Sequence, residues 1–277
     1  MRQMRTSFRL YLVAAGLLCS LQALSAAPWV DTNPVTGQIN VGPNVSQFTV
    51  LSNGGDVSLI DNTFTGPSYV KGNVGIAGAG KFSMSDGTID GDLVYHTGAQ
   101  ITISGPARIN GSRISDAAHD TILSNAAMDS QSLSDAANNE AGTPAYASIT
   151  SVNITNSSQS MTITGGLNEK VVLKLQDFVM SAGTFTLSGT ATTSFIINVS
   201  RNFSLNNASI QLVNVPPANV LFNIRGKGSQ VSLNQGTSMG GILLATQRKV
   251  ALSGGKIFGR LIANQVNITS GGQVISQ

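Results

Sequence analysis

From Gln47 onward the chain alternates apolar and polar positions in short runs broken by Gly, Asn and Asp. FTVLS (48–52), VSLID (57–61), MTITG (161–165), VVLKL (171–175), TFTLSG (184–189), FIINVS (195–200), FSLN (203–206), IQLVNV (210–215) and VLFNI (220–224) are examples. Period-two alternation bounded by turn residues predicts half-buried strands. The longer apolar runs, such as FIINV and ILLA, are expected to face a helix or an interior. One stretch has a different period. Ile114, Ala118, Ile122, Ala126, Leu133 and Ala137 fall at helical spacing, which predicts one long α-helix over about 115–139. Ser115 is the expected N-cap, with Asp116 in the first turn. Gly142 and Pro144 end it. Its Ala-rich, narrow stripe suits close packing on a sheet.

The strands repeat. Val70-Lys71-Gly72-Asn73-Val74 is echoed by Ile89-Asp90-Gly91-Asp92-Leu93, and a third copy begins at Ile109-Asn110-Gly111, with Gly spacings of 19 and 20. In the C-terminal part, GGILLATQ (240–247) and FGRLIANQ (258–265) repeat 18 residues apart. Such a period is one coil of a solenoid, whose coils bury their apolar sides only by stacking. The recurring Gly is expected to mark corners that need φ > 0.

Composition then narrows the class. Only 10% of residues are charged and 5% aromatic, while 41% are hydrophobic and 30 are Gly. That disfavours a disordered chain, which needs high charge and few apolar residues. Arg2, Arg5 and Arg9 precede the apolar run Leu10–Leu24, and Ser25, Ala26 and Ala27 follow it. This predicts a secretory signal peptide over 1–27, cut near Ser25–Ala27. Without its three arginines the chain holds 13 basic and 13 acidic residues, so the net charge of +3 belongs to the precursor. No basic footprint for nucleic acid is left. Cys19, the single cysteine, lies inside the signal, so disulfides and thiolate metal sites are not expected. Residues 28–46, rich in Pro and Asn, read as a loose leader, and 47–277 as one domain. Residues 31–140 carry a net charge of −7 and 141–277 a net of +7. In a continuous solenoid this makes an axial dipole favouring head-to-tail association. In a discontinuous one the charges mix.

The order of parts resembles secreted bacterial β-solenoid proteins of the choice-of-anchor A type. Those parts are an FTVLS-type strand, a G-N-V coil pair, one Ala-rich helix, then FIINVSRNFSL, NVLFNI, GGILLATQRKVALSGG and GRLIANQVNITSGG. The layout is also similar to the discontinuous β-solenoid ice-binding family. The resemblance covers about 47–277. It implies an all-β, right-handed solenoid, continuous or discontinuous, with one flanking helix. It also implies a protein that works by its surface. The anchored relatives end in a sorting tail and this chain ends at Gln277, so a soluble secreted form, or attachment through a partner, is expected.

Chemistry-bearing residues are sparse. His96 and His119 are the only histidines, and a zinc-type site wants three or more converging ligands. Asp90, Asp92 and His96 could share a coil, but Gly91 marks a polar corner there. Carboxylates sit singly beside Gly or Asn, as turn residues do. No catalytic, cofactor or metal residues are assigned, and no enzyme activity is expected. The candidate binding surface is formed by Thr-x-Thr pairs at Thr162/Thr164, Thr184/Thr186 and Thr190/Thr192, with Thr63/Thr65 as a further pair; i and i+2 share one face of a strand. The principal expectation is an adhesin-like or extracellular-matrix protein contacting polysaccharide, a cell surface or its own copies. Ice binding is the alternative, and a polysaccharide-active enzyme the second alternative.

Overall fold

The computed structural model describes residues 30–33, 35–60, 66–226 and 228–277. The predicted signal peptide and the Thr63/Thr65 pair lie outside them. The described residues form a β-solenoid of three faces, its coil-to-coil strand pairs all parallel.

The helix face runs, in spatial order, through Lys170–Leu175, Ser194–Val199, Val220–Ile224, 242–245, 261–263, Val50–Ser52, Val74–Ile76, Leu93–Tyr95 and Arg113–Ile114. The stack therefore does not follow chain order. The last C-terminal coil pairs with the first N-terminal one: Val50 with Leu261, Val57 with Val266, and Tyr69 with Gln273. The solenoid is discontinuous, and the chain must travel from one end of the stack to the other between Ile114 and Ser151. The helix makes that journey. Ala117–Asn139 is 23 residues, about 34 Å at the helical rise. Nine strands at the usual spacing cover about 38 Å.

Two apolar layers result. Inside the coils, Phe178 stacks on Phe203 at 5.2 Å and meets Phe185 edge-on at 5.0 Å. Outside the helix face, Val172, Ile196, Leu221, Ile242, Leu244 and Ile262 pack against Leu123, Ala126, Leu133 and Ala137. This is why FIINV is buried at every position: Phe195 and Ile197 belong to the interior, Ile196 to the helix layer.

Several expectations change. The N-cap is Asp116, not Ser115; its carboxylate accepts the His119 N–H at 2.9 Å. The helix buries Leu123, Ser130 and Ser134 in addition to the Ala positions, whereas Ala118 is exposed. The approach to the sheet is so close that small polar residues replace large apolar ones. The leader is not loose. Its Val30, Ile39, Val41 and Val45, with Phe48 just beyond it, are buried in the helix-side layer, because they cover the stretch of that face that the helix leaves open. The corner glycines Gly91 and Gly111 have ordinary φ; a Cβ on Gly91 would lie 2.5 Å from the Gly72 carbonyl carbon, and one on Gly111 2.6 Å from that of Gly91. Close stacking of backbones demands Gly at 91 and 111, whereas Gly72, the first of the repeat, has the expected positive φ of 116°.

The charge split is also resolved. Residues 50–114 hold five acidic and four basic residues, 115–150 hold five acidic and none basic, and 151–277 hold two acidic and nine basic. The acidic segment is the helix, which lies back along the basic coils. Asp135 pairs with Arg225 at 2.5 Å and Glu140 with Lys170 at 2.9 Å. The charges compensate side by side, and the basis for head-to-tail association is reduced.

Candidate functional site

Helix and leader cover one face and leave two. On the second face the outward residues stack in register as Asn153, Val179, Ser204, Ser232, Ala251, Asn267, Ser58, Ser83 and Thr102. Every member is short, and the rank runs the full length of the stack. Two residues further along each strand, a second rank, short apart from Ile60, follows the same register through Ser253, Thr269 and Ile60. Backbone hydrogen bonds carry it on through Ser181, Asn206, Asn234, Ser85 and Ser104. Members brace one another, as where the Ser58 hydroxyl donates to Asn267 Oδ1 at 2.5 Å. Longer and charged side chains, Asp177, Lys249, Gln265, Lys81 and Gln100, border the strip on its other side.

The strip is flat for a local reason. Each strand alternates one buried apolar residue with one outward residue, as in Val231-Ser232-Leu233 and Phe203-Ser204-Leu205. The interior residues fix the level of each strand, and the outward ones of the first rank rise to similar heights because all are short. Parallel pairing then repeats that profile about every 4.8 Å.

The third face is uneven. Ser160, Thr184, Ser209 and Ser238 continue into Lys256, Gln273, Tyr69, Thr88 and Arg108. Thr162 pairs with Thr186, and Thr164 with Ser188. Four of the predicted threonines, Thr162, Thr164, Thr184 and Thr186, thus form one patch on adjacent strands at one end of this face. Thr190 and Thr192 do not join it. They lie in the following corner, where their hydroxyls are 3.2 Å apart and Thr192 accepts the Asn168 N–H. The larger strip on the second face was missed from sequence, because Ser, Asn, Ala and Val show no motif until the register aligns them. Solitary outward Ser between two buried residues was the available signal.

The titratable residues weighed for chemistry are occupied structurally. Asp92 accepts the Ser112 N–H at 2.7 Å, and Asp90 receives Tyr69 Oη and Asn110 Nδ2, each at 3.2 Å. His96 faces Asp120 at 3.9 Å rather than Asp90 or Asp92. Among the described residues no three His, Cys, Asp or Glu side chains converge to hold a metal, and no helix is long and apolar enough to cross a membrane.

The family described as "Ice-binding-like adhesive domain" matches residues 30–275. No curated protein matches the sequence. Among solved structures, an ice-binding protein from the Antarctic ascomycete Antarctomyces psychrotrophicus is similar at 19% identity and a TM-score of 0.51. The match covers 85% of this chain and 97% of that one. An ice-binding protein from an Arctic yeast gives 15% and 0.56, covering 87% and 95%. One from an Antarctic biological consortium gives 16% and 0.55, covering 86% and 91%. At these identities the likeness is one of fold. The family and these neighbours are described by ice binding, and none is described as an enzyme. They overturn the principal expectation of an adhesin-like or matrix protein and favour its ice-binding alternative.

Proposed function

The chain belongs to the ice-binding-like adhesive domain family, and on that premise we propose that it binds ice through its second face. The observation that carries this reading is the pair of short-residue ranks in register along the stack. Ice is a repeating surface, and only a repeating, level face can meet it at many points together. Successive rank members are about 4.8 Å apart along the stack, and i and i+2 are about 6.6–6.8 Å apart along a strand. Hydroxyl, amide and methyl groups are mixed on that grid. Water held on such a grid would be ordered in two directions. Backbone pairing and the braced side chains fix the groups before contact, so little conformational entropy is lost on binding.

The Thr162, Thr164, Thr184 and Thr186 patch supplies a smaller second contact around the corner of the same coils. Export by residues 1–27 would place the protein where extracellular ice forms. The kinship with choice-of-anchor A proteins, read from the order of parts, is part of the same proposal.

Thermal hysteresis and inhibition of ice recrystallisation test the function. The expected result is activity in both assays. A protein with intact β-type circular dichroism and neither activity would overturn the reading.

A further inference from the structure

A cleft of about 660 Å³ opens where the leader crosses the corner between the third face and the helix face. Its apolar lining includes Ile39 and Ile242, and its polar lining includes Asp31, Asn40, Ser46 and Arg260. Arg260 stands in register with Ile242 on the neighbouring coil. One of its guanidinium N–H groups donates to the Phe48 carbonyl. Among the described residues no carboxylate lies within ion-pairing distance of it. Its remaining donors are not sealed off, for none is among the buried polar atoms that lack a partner. The guanidinium is thus half-buried, tied down at one corner, and open to the cleft.

We propose that this cleft binds a small molecule carrying one carboxylate, with Arg260 as the anchoring residue. A guanidinium offers parallel N–H donors that match the two oxygens of a carboxylate. Partial burial strengthens that pairing over the same pairing in open water. Burial also holds the Arg260 guanidinium below the ordinary arginine value, the direction for a cation with no compensating anion. Asp31 in the same lining selects against a second negative charge on the ligand. Its Oδ2 accepts from Asn40 Nδ2 at 3.2 Å. The volume falls in the range of small-molecule sites, and the apolar lining accepts a short hydrocarbon body. This site is separate from the proposed ice face, so either reading can fail alone.

The test uses N-acetyl-leucine as the probe and N-acetyl-leucinamide as the control, titrated into ¹⁵N-labelled protein. The expected result is a saturable shift of the Arg260 side-chain Nε resonance with the acid and none with the amide. Arg260→Gln is expected to weaken binding about thirtyfold or more while leaving recrystallisation inhibition intact. Because that variant also loses the bond to Phe48, Ser46→Trp provides a second check. It fills the mouth of the cleft, keeps Arg260 in place, and is expected to abolish binding. Equal shifts with acid and amide, no saturable shift with the acid, or full binding by folded Arg260→Gln or Ser46→Trp would overturn the proposal.

Discussion

Asn223 lies beside Asn198 on the adjacent coil, and its side-chain amide donates to Asn198 Oδ1 at 2.8 Å. The same pair reaches outward to the helix. Asn198 Nδ2 donates to the Ala137 carbonyl at 2.7 Å and Asn223 Nδ2 to that of Ser134 at 2.9 Å. The Ser134 hydroxyl returns a bond to Asn223 Oδ1 at 2.7 Å. Lys174, in register with Asn198, takes the Asn138 carbonyl. The helix has no basic residue in its last turn. The solenoid supplies the groups that its carbonyl end lacks.

Asn223→Ala therefore leaves the Ser134 and Asn198 groups buried with fewer partners. Each such group costs about 1–3 kcal/mol. Chemical denaturation is expected to show a loss in that range or somewhat above it. Ice activity, measured well below the melting temperature, should not change.

Ser232 lies beside Ala251, the central member of the short rank on the second face. Ser232→Tyr raises one point above the strip and should remove most thermal hysteresis, with little loss of stability. Thr186→Tyr, on the smaller patch, is expected to reduce hysteresis only partly. If Thr186→Tyr abolishes activity and Ser232→Tyr leaves it whole, the assignment of faces is reversed.

The stacked corner of Gly72, Gly91 and Gly111 has no room for a methyl group. Gly91→Ala forces the two neighbouring corners apart, an overpacking defect of about 1–3 kcal/mol. A lowered melting temperature is expected. Ala at Gly142, which a Cβ would approach no closer than 3.4 Å, should be far milder.

Phe178 touches Phe185, Phe203 and Phe222 in the coil interior. Phe178→Ala opens a cavity there and is expected to cost about 3–5 kcal/mol. Denaturant midpoints compared at constant m-value check this.

Acid should loosen the helix. Burial pushes the Asp135 carboxyl up, but the hydrogen bonds from Arg225 and Gln131 outweigh it and hold it below its ordinary 3.8. The His119 backbone N–H and ring hold the Asp116 carboxyl down as well. A depressed native pKa contributes stability that is present above the unfolded value and lost as pH falls through the native one. Circular dichroism melts are therefore expected to be level above about pH 5 and to fall progressively below it. Arg225→Gln should flatten the part of that dependence that Asp135 contributes.

The strands, the single helix and the coil repeat were all legible in the chain, because each rests on local periodicity. Val231-Ser232-Leu233 announces one inward–outward–inward strand whatever it pairs with, and the stretch from Ile114 to Asn139 announces a helix by its spacing. The Thr162/Thr164 and Thr184/Thr186 pairs could likewise be placed on one side of their strands. The tertiary structure decided which coil lies on which. Ser58 and Asn267 are 209 positions apart yet share a hydrogen bond, and nothing in either segment names the other. It also decided that the leader packs onto the helix face, that Thr190 and Thr192 turn a corner, and that Arg260 opens into a cleft. The physical reason is one of range. Alternation and capping depend on neighbours a few residues away, whereas the register of parallel coils depends on backbone partners that only the closed stack brings together. A flat rank of Ser, Asn and Ala is a property of that register, and so became visible only in the fold.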